Sequence, residues 1–170
     1  MENAQILKHI IEERRSTFPK DYTGEAVPEA IINDILSAAV LAPNHKRTRP
    51  WRFRVFKGDE KLALGKELQR IYKDITPEFQ FLQKKYDDFI FKTERSGAII
   101  SIVVEYSNLV PKWEEIAAVS MAVQNMYLTC AANTIGCYWG SPGLIKHMGD
   151  FLKLDENQEC LGFFYMGIPA

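Results

Sequence analysis

Three features of this 170-residue chain predict an α+β fold: helical segments outnumber strands, the strands are scattered along the sequence, and one long segment, 113–134, is small and apolar on nearly every side. A regular βαβ winding would alternate strand and helix, and this order does not. The expected architecture is a central mixed or antiparallel sheet flanked by helices. With 46% hydrophobic residues the length suits one domain over 1–170 with a sizeable core.

Taken in order, Ile6, Leu7, Ile10 and Ile11 share one face of a short helix over 3–14 that runs into Arg14 and Arg15. Cations there suit the negative end of the helix dipole. A second helix starts at Pro28, carries Ile31, Ile32, Ile35, Leu36, Ala39 and Val40, and stops before Pro43. In WRFRVFK (51–57), Trp51, Phe53 and Val55 alternate with Arg52, Arg54 and Phe56, the period of a half-buried strand. Polar helices follow at 59–73 and 77–92, the second opened by Pro77. GAIISIVVEY (97–106) is apolar on both faces and reads as a central strand.

Segment 113–134 carries Ala117, Ala118, Ala122, Ala131 and Ala132, so this helix belongs inside the domain or across a subunit interface. Gly136 is expected to end it. CYW (137–139) is a short strand, GSPG (140–143) a turn, 144–153 a helix, and 160–169 the last strand.

Lys plus Arg (21) nearly balances Asp plus Glu (22), so the chain has no long-range field to draw it onto polyanions, and anion binding must be local. Cys130, Cys137 and Cys160 lack CxxC spacing and sit among apolar neighbours, which predicts buried thiols in the cytoplasm. The N-terminus has no signal-peptide pattern and no apolar run approaches the roughly 20 residues that span a bilayer, so no membrane association is expected. Repeats and linkers are absent.

GDEKLALGK (58–66) fails the spacing of a Walker A loop, no GxGxxG is present, and WGSPG lacks the order of a nucleophile elbow. His9, His45 and His147 are scattered without metal spacing, so no metal is expected. No Ser/His/Asp trio assembles and no side chain is assigned a catalytic role, which leaves the chemistry to a bound organic cofactor.

Two basic stretches remain: RRS at 14–16 and LAPNHKRTRPWRFR at 41–54. Each has a plain reading, a solvated helix end for the first and a basic turn for the second. The sharper reading of RRS is a phosphate grip, because Arg offers a planar fork of donors and Ser16 adds a hydroxyl.

Together, RRS, APNHKRTRPWRF (42–53), the alanine-rich helix with GCYWGSP after it, and a last strand ending on GIP resemble the nitroreductase family of FMN-dependent oxidoreductases, in particular its small single-domain members. The resemblance spans most of the chain and is weakest over about 59–96. It implies a nitroreductase-like fold, a homodimer with the long helix at its centre, and FMN bound between subunits. Arg14 and Ser16 would hold the phosphate and ribityl end, with Arg15 close by. His45, Leu41 and Arg49 would reach the flavin from the partner. Trp139, Gly140 and Ser141 would border the ring. FMN carries about two negative charges and a flat ring, so such a pocket needs cations at one end and an apolar wall along the ring.

The chain departs from the family pattern twice. Phe18 stands where many members carry a basic residue two positions after the serine, so charge near flavin N1 and O2 must come from elsewhere, with Lys20 available. Members also commonly continue past the GxP block to a basic residue over the phosphate, whereas this sequence stops at Ala170; weaker FMN affinity or a different grip is expected. The implied activity passes electrons from NADH or NADPH through FMN to a nitroaromatic, quinone or similar acceptor. Two rivals stand beside it: a flavin-binding or sensing protein without catalysis, and a single-stranded nucleic-acid binder that uses Trp51, Phe53 and Phe56 as a stacking platform. Strand alternation counts against the last, since only Phe56 shares a face with Arg52 and Arg54.

Overall fold

The computed structural model describes residues 2–170. Four strands, β1 (Trp51–Phe56), β2 (Ala98–Glu105), β3 (Gly136–Gly140) and β4 (Gln158–Gly167), form one sheet in the order β1-β2-β4-β3. All three pairings are antiparallel. The helices are α1 (Asn3–Glu13), α2 (Glu29–Ala39), α3 (Asp59–Ile75), α4 (Gln83–Arg95), α5 (Lys112–Ala132) and α6 (Gly149–Leu152). No helix among the described residues is long and apolar enough to cross a membrane.

Helices cover both faces of the sheet, as the doubly apolar β2 requires. Ile100, Ile102 and Val104 point into a core shared with α2 and α5, whereas Ile99 and Val103 point into a second core under α3 and the segment around Leu144 and Met148. On β1 the expected alternation holds: Trp51 is buried on the α5 side and Phe56 on the α3 side. Phe56 is fully buried, with the Arg54 guanidinium 4.7 Å from its ring centre. The strand therefore offers no aromatic platform for bases.

β4 changes parity midway. Val103 faces Cys160 while Ile102 faces Gly162, so Leu161 is the extra residue of a bulge. Gly162 takes φ +133°, and a Cβ there would lie 2.4 Å from the Gly140 carbonyl and 2.6 Å from the Trp139 indole nitrogen. This lets Phe163 and Tyr165 join one core while Phe164 and Met166 join the other.

The helix expected over 144–153 is instead a 3-10 turn, Gly143–His147, followed by the one-turn α6, and two further boundaries differ from expectation. Pro77 opens a 3-10 turn, Glu78–Gln80, and α4 begins only at Gln83. The Tyr72 hydroxyl accepts the Leu82 N–H at 3.0 Å, and Phe81 packs between the Tyr72 and Tyr86 rings, which holds the intervening residues extended. Gly136 does not end α5. Thr134 adopts the left-handed conformation instead (φ 54°), the Ile135 N–H returns to the Cys130 carbonyl, and Gly136 begins β3, where a Cβ would strike the Tyr22 ring at 2.8 Å.

Candidate functional site

The site is built on the open edge of β3. An edge strand presents unpaired main-chain groups that must be covered. The Cys137 carbonyl accepts the Thr17 N–H at 3.0 Å, and the Trp139 N–H donates to the Tyr127 hydroxyl of α5 at 2.7 Å. The first bond docks the segment after α1 against the sheet. Tyr22 locks it from behind: its buried hydroxyl donates to the Thr17 carbonyl at 2.6 Å, the Thr23 N–H donates to the Ile168 carbonyl, and Arg95 of α4 donates to the Tyr22 carbonyl. Burial pushes the Tyr22 phenol far above its usual range, so it stays a neutral donor.

RRS is held at this junction. Arg15 curls back onto the Glu12 and Arg14 carbonyls at the end of α1, so its cation is occupied locally. The half-buried Arg14 has its guanidinium carbon 5.5 Å from the centre of the Tyr127 ring. Among the described residues that guanidinium has no carboxylate partner and makes no hydrogen bond. Ser16 is exposed beside it. A cleft of about 600 Å³ opens next to this segment, lined by His9, Glu13, Arg15, Thr17, Tyr127 and Cys137 among others; Arg14 and Ser16 are not part of its lining. It lies within the range of small-molecule sites. It reaches the first half of β3 and stops short of Trp139, Gly140 and Ser141.

Trp139 and Gly140 close β3 at its other end, and Ser141 follows it. The Trp139 indole donates to the Leu161 carbonyl of the bulge at 2.9 Å and packs on the α5-side core, so its ring is a structural wall. Gly140 sits against Tyr138 and Tyr165, and Ser141 is exposed. Phe18 lies 4.9 Å from Tyr138, centre to centre, and Tyr138 stacks on Tyr165. Phe18 therefore adds aromatic surface at the position where the resemblance implied a basic residue. Lys20 is exposed in the 3-10 turn Pro19–Asp21.

The second basic stretch forms a separate feature. His45–Arg47 is a 3-10 turn in which Lys46 and Arg47, like Arg49 beyond it, have φ near +50°. For non-glycine residues this conformation costs energy and persists only where surroundings enforce it. Here Asn44 Oδ1 accepts the Arg49 N–H at 2.9 Å, Arg52 donates to the Arg49 carbonyl, and Lys46 Nζ donates to the Leu109 carbonyl. Lys46 is thus an anchor and not a free surface charge. His45 Nδ1 lies 2.5 Å from a Glu114 carboxylate oxygen. Leu41 is 80% exposed at the end of α2.

The RRS and His45 features are far apart in one protomer. Arg14 packs on Tyr127 and His45 on Glu114; these partners are thirteen positions apart on α5, a rise of about 20 Å. The outer side of α5 carries exposed Trp113, next to Glu114, and exposed Met121, between the two partners, and with His45 they line a groove of about 300 Å³. Sequence reasoning missed Tyr127, Glu114 and the Gly162 bulge. A tyrosine in an apolar helix reads as core, a glutamate in a first turn reads as a dipole partner, and one glycine in a strand gives only a weak hint of a bulge.

Helices on both faces of an antiparallel sheet, with the segment after α1 docked on its edge strand, define an α+β protein. The chain belongs to the nitroreductase family, whose model matches residues 11–168. It is therefore an oxidoreductase of the nitroreductase type. Among relatives, Bacillus subtilis "Putative NAD(P)H nitroreductase YfhC" is 29% identical over 96% of this chain and 84% of its own length. A nitroreductase-like family protein from Bacillus cereus superposes with a TM-score of 0.83 at 24% identity, over 96% of this chain and 86% of the other. A Desulfovibrio desulfuricans protein solved as a "putative nitroreductase in complex with fmn" gives a TM-score of 0.73 at 25% identity, covering 100% and 88% of the two chains.

Proposed function

We propose that residues 1–170 form a single FMN-binding domain of a cytoplasmic, homodimeric NAD(P)H oxidoreductase. Arg14 carries the reading: a half-buried cation that, among the described residues, has no carboxylate or hydrogen-bond partner, two residues from an exposed serine hydroxyl, suits a phosphate monoester. Bound FMN supplies the redox chemistry, taking electrons from NADH or NADPH and giving them to a nitroaromatic, quinone or similar acceptor. The protein binds the phosphate and ribityl end through Arg14 and Ser16 and borders the ring with the main chain of Trp139, Gly140 and Ser141. Arg15 supports this grip by closing the end of α1. Solvent can deliver protons, so no side chain need act as a general acid.

The dimer reading rests on the outer side of α5. Exposed Trp113 and Met121 form an apolar strip that a second copy would cover, and a two-fold axis near the middle of α5 would bring one protomer's His45 towards the other's Arg14. Leu41, His45 and Arg49 then serve the partner's flavin, which accounts for a strained, well-anchored loop remote from RRS in its own chain.

Purified protein tests the reading. A yellow preparation whose flavin bleaches on anaerobic addition of NADH or NADPH is expected; colourless protein that ignores added FMN overturns it. Flavin that binds and never bleaches would favour a protein without catalysis, the reading that Phe18 packed on Tyr138 supports.

A further inference from the structure

Two halves of the proposed site meet on one side chain that neither sequence motif contains. The Tyr127 ring lies under the Arg14 guanidinium at 5.5 Å, and its hydroxyl accepts the Trp139 N–H at 2.7 Å. Its position is itself fixed by an edge-to-face contact with Phe164, 5.0 Å between ring centres. A guanidinium held over an aromatic ring by cation–π attraction, with no hydrogen bond of its own among the described residues, keeps its N–H donors available. The ring thus orients Arg14 while leaving its donors for a ligand. Without the hydroxyl, the outward Trp139 N–H would lose its partner and the end of β3, from which Gly140 and Ser141 emerge, would lose its tie to α5.

We propose that Tyr127 is a positioning residue with two separable tasks: its ring presents Arg14 to the flavin phosphate, and its hydroxyl fixes the main chain of Trp139–Ser141 along the flavin ring. This rests on the FMN reading above. The two tasks predict different consequences for two substitutions. Tyr127→Phe keeps the ring and removes the hydroxyl; Tyr127→Leu removes both.

The test measures binding of FMN and of riboflavin, which lacks the phosphate, by flavin fluorescence, together with the midpoint potential of the bound flavin. For Tyr127→Phe, FMN affinity is expected to stay within about twofold of wild type while the potential shifts. For Tyr127→Leu, FMN affinity is expected to fall about tenfold, the loss of one well-oriented interaction, with much less change for riboflavin. A merely structural tyrosine would lower the denaturation midpoint and change FMN and riboflavin binding alike. Equal losses for the two flavins in Tyr127→Leu, or an unshifted potential in Tyr127→Phe, would overturn the inference. Wild-type protein that binds neither flavin would instead overturn the FMN reading and this inference with it.

Discussion

The His45 imidazole donates from Nδ1 to the Glu114 carboxylate at 2.5 Å, tying a strained loop to the first turn of α5. This bond leaves Nε2 as the ring nitrogen available to a ligand. If that ligand is the partner's flavin, Glu114→Ala should weaken FMN binding severalfold, His45→Ala should do so at least as strongly, and Glu114→Gln should retain most of the affinity. Fluorescence titration of the three variants checks this. Wild-type affinity in His45→Ala would reduce the residue to a surface group.

Arg14→Ala removes the cation without disturbing the Thr17–Cys137 bond that docks its segment. A charge-assisted hydrogen bond is worth roughly 1.5–3 kcal/mol, so FMN affinity should fall about tenfold to a hundredfold. The thermal midpoint of the apoprotein should scarcely move. Unchanged FMN affinity would remove Arg14 from the site.

Gly162→Ala forces a Cβ into the Gly140 carbonyl and the Trp139 indole at a φ that side chains seldom adopt. The combined strain and overpacking should cost about 2–4 kcal/mol. Urea denaturation reads this directly, and an unchanged midpoint would show that the bulge relaxes freely.

Glu105 on β2 accepts from Gln158 and from Arg52, and these bonds, the Gln158 bond foremost, hold its carboxyl below the usual glutamate range. A depressed folded-state pKa stabilises the protein above the unfolded value, near 4.5, and that contribution disappears as pH falls through the folded value. Arg52→Gln should therefore cost up to about 1 kcal/mol at pH 7, with the difference from wild type shrinking below pH 4.5. Chemical denaturation at pH 7 and pH 3.5 compares the two. A difference that grows in acid would contradict this account.

Trp113→Glu combined with Met121→Glu puts charge into the apolar strip of α5. Wild-type protein should sediment as a dimer at micromolar concentration, and the double variant as a folded monomer with reduced FMN retention. A monomeric wild type that binds FMN normally would show that the flavin site needs only one chain.

Most elements and the layers they form were legible in the sequence. Alternation along 51–56, the doubly apolar run at 98–104 and the helical spacing over 29–39 and 113–132 fix which faces are buried, because burial of apolar groups dominates the folding energy. The order of RRS, the His45 stretch, the long helix and YWGSP was also legible and led to the nitroreductase family. How those motifs are held follows from packing in three dimensions. Tyr127 meets Arg14 and Trp139, Glu114 meets His45, and the Leu161 carbonyl meets the Trp139 indole across separations that no local pattern encodes. Such contacts depend on how helix, sheet edge and loop pack in space. Packing likewise separated Arg14 from Arg15, neighbours in sequence, laying one over the Tyr127 ring and binding the other to the end of its own helix.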